Sequence, residues 1–434
     1  MPSSCPRCLE RPALRLLFAC MLHLLLDRLA FADGFLRDGM GPIPAGRGAT
    51  NVAHADNGSV LLDNPAALAN IEPAALADLH LGQYLFAFHY SDAENAAADG
   101  TGTLLPIADI AYLARSTTND RLGYGFGLFV PAGFGASYDL STPPVFGPGR
   151  HAYRSFAAFA KLVAGVGYRV TDRLSVGAHL GVAGAYVRFQ LPYWVQTGQL
   201  QGVPADVSTR GIGFAPAWAI GMQYVVRPGT VIGASYTAPN EFGANVGGRA
   251  QVDLGGARDE FDSSIEISLP RAVAVGIRHD LGSRSRLSAE ITWRDWSDAF
   301  DHIRFALTRG KGALGVTKVR DQVAVDWQDT YTIGLGYELF LTPEHTVRLG
   351  YTHHPSPVPD ATLMPVIPVI LEHVLAAGFG WRMGDVQLDL SYQYTFGPTR
   401  QVEQSGLVGG DFDGSSLAVR GHAWFVGITR QWRP

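Results

Sequence analysis

Residues 385–396 (DVQLDLSYQYTF) alternate strictly between apolar and polar side chains. A period of two places the two sets on opposite faces of a β-strand. The same alternation marks residues 286–293, 173–188 and 424–429. The sequence therefore predicts an all-β chain whose strands are apolar on one face and small or polar on the other.

The connections between these segments distinguish a membrane barrel from a soluble β-sandwich, whose strands also alternate. Several strands are longer than the five or six residues usual in soluble sheets. Short turns are expected at 116–120, 171–172, 227–228, 282–283, 342–343 and Gly384, and long connections at 91–103, 131–152, 192–211, 255–262, 299–322, 355–372 and 397–417. Strict alternation of short turns with long loops is typical of bacterial outer-membrane barrels. We predict about 14 antiparallel transmembrane strands within residues 77–434, closed because lipid offers the backbone no hydrogen-bond partner.

The N-terminus has the features of a secretory signal peptide. Three arginines precede an apolar run at 16–26, which is too short to span a bilayer, and Ala30-Phe31-Ala32 forms an A-x-A cleavage site. We therefore expect residues 1–32 to be removed during export to the outer membrane. All three cysteines lie within this segment, so the mature chain is expected to lack disulfides and cysteine metal sites.

Composition and motifs argue against several other functions. The formal net charge of −5 gives no reason to expect a nucleic-acid partner. No G-x-S-x-G or other nucleophile motif occurs. The doublet His353-His354 has no matching third ligand. We expect no enzymatic activity, no cofactor and no metal.

The segment before the barrel, residues 33–76, is rich in glycine and alanine and does not alternate. Asn64 can cap a helix with its side-chain oxygen, and Pro65 suits the first helical position. A barrel of 14 strands is wide enough to be an open pore unless something fills it. We predict a small, partly helical plug, or hatch, in the lumen.

Several motifs carry a family resemblance. Residues 46–49 (GRGA), 53–57 (AHADN) and Asn64-Pro65-Ala66 resemble the N-terminal hatch of the FadL/TodX family of outer-membrane transporters for long-chain fatty acids and aromatic hydrocarbons. Further similar segments follow in the family's order: FVPAGFGASY at 129–138, TWRDWS at 292–297, GY at 350–351 with SPVP at 356–359, and GHAWFVG at 421–427. They extend over nearly all of the predicted mature chain.

The resemblance implies capture of ligand among the extracellular loops, passage to a lumen site, and sideways release through a gap at a kink in the third strand. Pro131 cannot donate a backbone hydrogen bond, and Gly133 and Gly135 permit conformations that interrupt pairing. We assign these three residues and Phe134 to a lateral gate. The alternative is that Pro131 simply ends a strand at a loop.

Charged residues on the polar strand faces suggest a ligand path. The two-residue alternation of strand faces places Lys161, Arg278 and Arg348 in the lumen, where a cation could bind the carboxylate of a ligand. The alternative is that these cations pair with the inward acids Glu290, Glu338 and Asp389.

The loop at 361–371 departs from the family pattern I-P-D-x-D-R. Here Ile367-Pro368 is followed by Val369, Ile370 and Leu371, which removes the charged set. Such an apolar stretch marks a binding site if it is exposed; otherwise it packs inside the barrel mouth. Together with the competing lumen acids, the loss of charge favours neutral hydrophobes over fatty acids.

The functional prediction is passive uptake of hydrophobic small molecules by a monomer. The expected partners are the ligand, outer-membrane lipid and lipopolysaccharide, and the barrel-assembly machinery. The alternatives are an adhesin or structural barrel, and a general aqueous porin.

Overall fold

The computed structural model describes residues 34–102, 105–312 and 315–432. The predicted signal peptide, residues 1–32, lies outside these described residues. Within them, no helix is both long enough and apolar enough to cross a membrane.

The described chain is built mainly of β-strands, with three short α-helices. The strands are β1 (Ala75–Ser91), β2 (Ala98–Gly102), β3 (Leu105–Arg115), β4 (Leu122–Ser141), β5 (Arg150–Arg169), β6 (Leu174–Trp194), β7 (Pro204–Arg227), β8 (Thr230–Thr237), β9 (Asn240–Leu254), β10 (Ala257–Leu269), β11 (Ala272–Leu281), β12 (Ser285–Arg294), β13 (His302–Gly312), β14 (Lys318–Ala324), β15 (Thr330–Phe340), β16 (His345–His353), β17 (His373–Met383), β18 (Val386–Phe396), β19 (Arg400–Val402) and β20 (Ser415–Trp432). The helices are α1 (Pro42–Gly46), α2 (Val60–Asp63) and α3 (Trp296–Ala299), and short 3-10 turns span Pro65–Asn70, Pro144–Phe146, Gly198–Leu200 and Asp360–Thr362.

Antiparallel pairing closes the sheet into a barrel. Each spanning strand pairs with its neighbours in sequence, and β20 pairs with β1 from Ala75↔Trp432 to Ser91↔Ser416. Six spanning strands are interrupted and consist of β2 with β3, β8 with β9, β10 with β11, β12 with β13, β14 with β15, and β18 with β19. The prediction of a 14-stranded antiparallel barrel is confirmed.

The outer surface carries large apolar side chains that a soluble protein would bury. Leu180 is 67% exposed and Phe214 is 65% exposed, on the neighbouring strands β6 and β7. Polar and small side chains on the same strands face inward, as the period of two predicts. The exposed apolar face is therefore the lipid-facing face.

Six of the seven predicted long loops contain strand, and only 355–372 has none among its described residues. β4 runs through Pro131 to Ser141, β9 and β10 are joined by only Gly255-Gly256, and β13 and β14 fill most of the stretch 299–322. Gly255 and Gly256 both have positive φ, of 60° and 93°, as a two-residue hairpin turn requires. The loop prediction was wrong here because glycine, proline and polar residues also occur where strands extend beyond the membrane.

The described segment before β1 packs against the inner faces of the strands. Helix α1 contacts β16, β17 and β18, and the 3-10 turn Pro65–Asn70 contacts β4 to β7. Asn64 caps that turn by accepting a hydrogen bond from Ala66 N at 3.2 Å, and its amide donates to Met222 O on β7 at 2.9 Å. The helix predicted after Asn64 is thus a 3-10 turn, anchored to the barrel wall.

Candidate functional site

An apolar cavity lies in the upper, loop-proximal part of the barrel. It has a volume of about 110 Å³. Its walls come from β6, β7, β10, β13, β14 and three loops, and include Phe189, Ile265, Phe305, Val323, Ile367 and Leu407. An engineered apolar cavity of about 150 Å³ is known to hold benzene. The cavity is therefore of the size and polarity that suit a single aromatic ring.

The loop at 355–372 forms one side of this cavity. Its apolar run does not lie exposed: Val369 and Ile370 are buried and Leu371 is half-buried. Hydrogen bonds from Ser356 Oγ to Val369 O (2.9 Å) and from Thr362 Oγ1 to Val325 O (2.7 Å) hold the loop inside the mouth. The stretch therefore follows the second of the two expected alternatives and packs inside the barrel mouth, because apolar side chains gain free energy by burial wherever a lumen is available.

The cavity is lined by loop residues slightly before those that sequence analysis selected. Met364, Val366 and Ile367 line it, whereas residues 369–371 pack behind them. Sequence reasoning missed these three because the apolar run gives no sign of which side chains turn toward the lumen.

The polar side chains that line the cavity are one acid, one amide and three hydroxyl groups, with no described cation among them. Asp411 accepts a hydrogen bond from Trp194 Nε1 at 2.9 Å, and burial raises the pKa of its carboxyl to about 7. Asp321, which does not itself line the cavity, accepts hydrogen bonds from Tyr193 Oη at 2.7 Å and Thr197 Oγ1 at 2.6 Å. No described Lys or Arg lines the cavity, so a carboxylate ligand would find no compensating charge there.

An aromatic cluster adjoins this cavity. Phe189 of the cavity wall has its ring centroid 6.2 Å from that of Phe134, which is 5.2 Å from Phe35. Phe35 is the centre of the cluster, and its other ring neighbours at 5.4 to 5.9 Å are Phe159, Trp296, Phe300 and Trp327. The apolar surface therefore continues from the cavity to the kinked part of β4.

The wall between the second and third spanning strands is interrupted beside this cluster. β3 pairs with β4 only from Ile110↔Leu128 to Arg115↔Gly123, and β2 resumes pairing at Gly102↔Ala136. Among the described residues, positions 129–135 of β4 have no partner on β2 or β3. This stretch contains Pro131, Gly133, Phe134 and Gly135, and the register with β5 also shifts there, between Phe129 and Ala132. Pro131 thus lies at a break within a long strand rather than at its end.

The N-terminal segment covers this gap from inside. Arg37 N donates to Pro131 O at 3.0 Å and Gly133 N donates to Phe35 O at 3.1 Å, which makes Leu36 and Ala132 a bridge pair. These two hydrogen bonds supply the partners that the neighbouring strand does not provide.

A buried ion pair fastens the same segment to the wall. Arg37 Nη1 lies 2.9 Å from Asp109 Oδ2 and donates to Val130 O at 2.9 Å. Asp109 Oδ1 in turn accepts from Val130 N at 2.9 Å. Sequence reasoning missed this pair; the available signal was an acid on the inward face of β3 opposite the proline kink. We call Arg37 and Asp109 the latch.

The predicted lumen cations have different surroundings. Arg348 forms ion pairs with Glu338 at 3.1 Å and Asp389 at 2.8 Å. Arg278 Nε donates to Ala53 O at 3.0 Å. Both are therefore occupied by the wall or the hatch.

Lys161 differs from the other two cations. It is buried, and no carboxylate of the described chain lies within ion-pair distance of it. It lines a second cavity of about 150 Å³ together with Pro131, Asp63 and Glu290. Glu290 accepts from the backbone N–H groups of Asn51 and Val52 at 2.7 and 2.9 Å, so it is held by the hatch.

One group of possible metal ligands converges within the described ranges, formed by His54, Asp56 and Glu338. The Arg47 guanidinium already lies 2.7 Å from Asp56 and 3.5 Å from Glu338. Because this cation sits where a metal ion would, the cluster is better explained as the anchor of Arg47 than as a metal site.

Comparisons with known proteins agree with this fold. The solved structures of similar fold include the Pseudomonas putida toluene transporter TodX (20% identity, 92% of this chain and 99% of that chain, TM-score 0.76), a Pseudomonas aeruginosa FadL homologue (16%, 92% and 100%, 0.75) and the Ralstonia pickettii toluene transporter TbuX (17%, 91% and 99%, 0.74). No curated protein sequence matches the chain. Residues 25–433 match the family model described as "Outer membrane protein transport protein (OMPP1/FadL/TodX)", and the chain belongs to that family of outer-membrane transport proteins.

Proposed function

We propose that this protein is a passive channel for hydrophobic small molecules, which enter from the extracellular loops and leave sideways into the membrane. The observation that carries the proposal is the continuity of apolar surface from the cavity through the aromatic cluster to the gap in β4. An aqueous porin would need a hydrated passage, and an adhesin would need neither the internal cavity nor the gap.

Movement of the N-terminal segment opens the route in this proposal. Phe35 occupies the centre of the aromatic cluster, and its backbone is hydrogen-bonded to the gap. A ligand that displaces the Phe35 ring would weaken the same contacts that cover the gap. Occupation of the lumen and opening of the wall would then be coupled, so that cargo leaves only into lipid.

The ligand class we favour is neutral and about the size of one aromatic ring. The 110 Å³ cavity has mostly apolar walls and no described cation. A neutral ligand gains from apolar burial and incurs no cost for removing a charge from water. Toluene is the corresponding probe.

A fatty carboxylate is the second candidate, and Lys161 is the observation that favours it. Its ammonium group is buried beside the gap without an acidic partner among the described residues. A carboxylate reaching the second cavity could pair with it.

Uptake into proteoliposomes distinguishes the two candidates. Ile367→Trp fills the upper cavity, and we expect toluene uptake to fall about tenfold or more because overpacking removes the site. The matched control is Leu162→Trp, on the lipid-facing side of β5. Lys161→Met should leave toluene uptake unchanged. Oleate uptake that exceeds toluene uptake and collapses in Lys161→Met would establish the fatty-acid alternative instead.

Export and assembly complete the proposal. We propose that residues 1–32 act as a cleaved signal peptide, that residues 33–76 form the hatch, and that the barrel-assembly machinery inserts the chain as a monomer into a membrane that contains lipopolysaccharide. The proposed role requires no catalytic activity.

A further inference from the structure

Three arginines stand side by side on the outer face of the barrel. Arg188 on β6 is directly opposite Arg210 on β7, and Arg210 is directly opposite Arg249 on β9. All three side chains are exposed, and none forms an ion pair or hydrogen bond with another described residue. Directly opposed like charges destabilise an antiparallel sheet. The barrel alone therefore gives no reason for this arginine row.

The arginine row lies just beyond the lipid-facing band. On β7 the outward side chains from Tyr224 to Ile212 are mainly apolar, and Arg210 is the next outward position. Twelve residue steps at about 3.3 Å, tilted by about 45°, rise roughly 28 Å along the membrane normal, close to the usual apolar height of about 25 Å. On β6, outward Tyr186 precedes Arg188 in the same way. Short turns mark the periplasmic end, so the row lies at the level of the outer-leaflet headgroups.

The surroundings of the row leave its charge uncompensated. It borders a groove that also contains the cations Arg309 and Lys311 and the acids Glu260 and Asp262. Asp262 is directly opposite Arg249, but its carboxylate is paired with Arg309. Glu260 is directly opposite Lys311. These four charges balance, so the three arginines of the row remain in excess.

We propose that the arginine row binds the phosphate groups of an anionic glycolipid in the outer leaflet. Guanidinium forks bind phosphate oxygens in pairs, and a phosphate between neighbouring arginines would relieve their repulsion. The ligand chemistry is a phosphate anion, carried by a lipid headgroup or present as free phosphate. The inference deepens the proposed contact with lipopolysaccharide by naming its site. It does not depend on which cargo the channel carries.

The test uses the whole purified protein in lipid nanodiscs. The probes are bisphosphorylated lipid A, lipid A from which both phosphates have been removed, and inorganic phosphate. Binding of each probe to the protein is measured by native mass spectrometry. The variant combines Arg188→Gln, Arg210→Gln and Arg249→Gln. Its matched control combines Arg121→Gln, Arg173→Gln and Arg284→Gln, which are exposed arginines at the opposite, periplasmic end.

We expect bisphosphorylated lipid A to bind the variant about 100-fold more weakly, since each basic side chain at a charged lipid surface contributes about a fivefold factor. The control should bind as the unsubstituted protein does, and dephosphorylated lipid A should show no difference. Equal binding of all three proteins would overturn the proposal. Inorganic phosphate that binds as tightly as lipid A would overturn the lipid assignment. Toluene uptake should be unchanged in the variant, because the arginine row is not part of the transport route. The lipid-binding result and the transport result therefore test the two proposals separately.

Discussion

The latch predicts that a single uncharged substitution opens the wall. In Asp109→Asn the side-chain oxygen can still accept from Val130 N, but the buried charge of Arg37 loses its partner. We therefore expect the N-terminal segment to leave the gap more often, because in the open state the guanidinium regains hydration.

The magnitude follows from the burial of both groups. The Arg37 and Asp109 side chains are only 4% and 1% exposed, and removing one partner of a buried pair costs about 3 kcal/mol or more. If most of that cost destabilises the closed state, the fraction of molecules with an open gap rises by up to roughly 100-fold, because each factor of ten corresponds to about 1.4 kcal/mol.

Thiol labelling measures the open fraction. Ala132 lies under the N-terminal segment and is 1% exposed, so in an Ala132→Cys background the rate of maleimide labelling reports opening. Asp109→Asn should raise that rate. Adding Arg37→Met should lower it again, because no unpaired charge then remains.

The matched control is Asp389→Asn. It breaks the buried ion pair in which Asp389 Oδ1 lies 2.8 Å from Arg348 Nη1, and this pair is not part of the gap. The substitution should leave the labelling rate unchanged. An unchanged rate in correctly assembled Asp109→Asn protein would refute the latch.

Three further predictions concern the gate, the hatch and the cavity. Replacing Pro131, Gly133 and Gly135 with Val or Thr should extend strand pairing and reduce toluene uptake, while unboiled protein still migrates faster on a gel; undiminished uptake would argue against lateral release. Deleting residues 33–62 should leave a folded barrel with increased conductance in planar bilayers, and a closed channel would show that these residues are not the plug. Burial raises the pKa of Asp411 to about 7, so its carboxyl becomes charged as the pH rises and toluene affinity should fall between about pH 6 and 8; Asp411→Asn should remove this dependence, and a persistent slope would show that another group titrates.

Much of the fold could be predicted because the membrane constrains every spanning strand in the same way. The alternation in residues 385–396 reappears as β18, and the predicted turn at Gly384 joins it to β17. The break at Pro131 could also be predicted from the sequence, because proline lacks a backbone hydrogen-bond donor wherever it occurs.

The remaining features depend on contacts between distant segments. Arg37 and Asp109 are separated by 72 positions in the sequence. The alternation within β3 places Asp109 on the inner face but does not reveal which cation pairs with it. The loop at 361–371 has no periodic pattern of apolar residues. It folds into the lumen because other strands provide an apolar cavity there, which the loop's own sequence does not show. The arginine row depends on the registers of three strands, which alternation alone leaves open.

The most direct test of lateral release is a reversible disulfide across the gap. Leu36 and Ala132 form a bridge pair flanked by two hydrogen bonds, and such non-hydrogen-bonded pairs have Cα atoms about 4.5 Å apart, within disulfide range. The chain has cysteines only at positions 5, 8 and 20, so Leu36→Cys with Ala132→Cys adds one defined pair to the described residues. We predict that oxidised protein in liposomes loses toluene uptake and that reduction restores it, whereas each single variant is indifferent to oxidant. Equal uptake in the oxidised and reduced states would contradict exit through this gap.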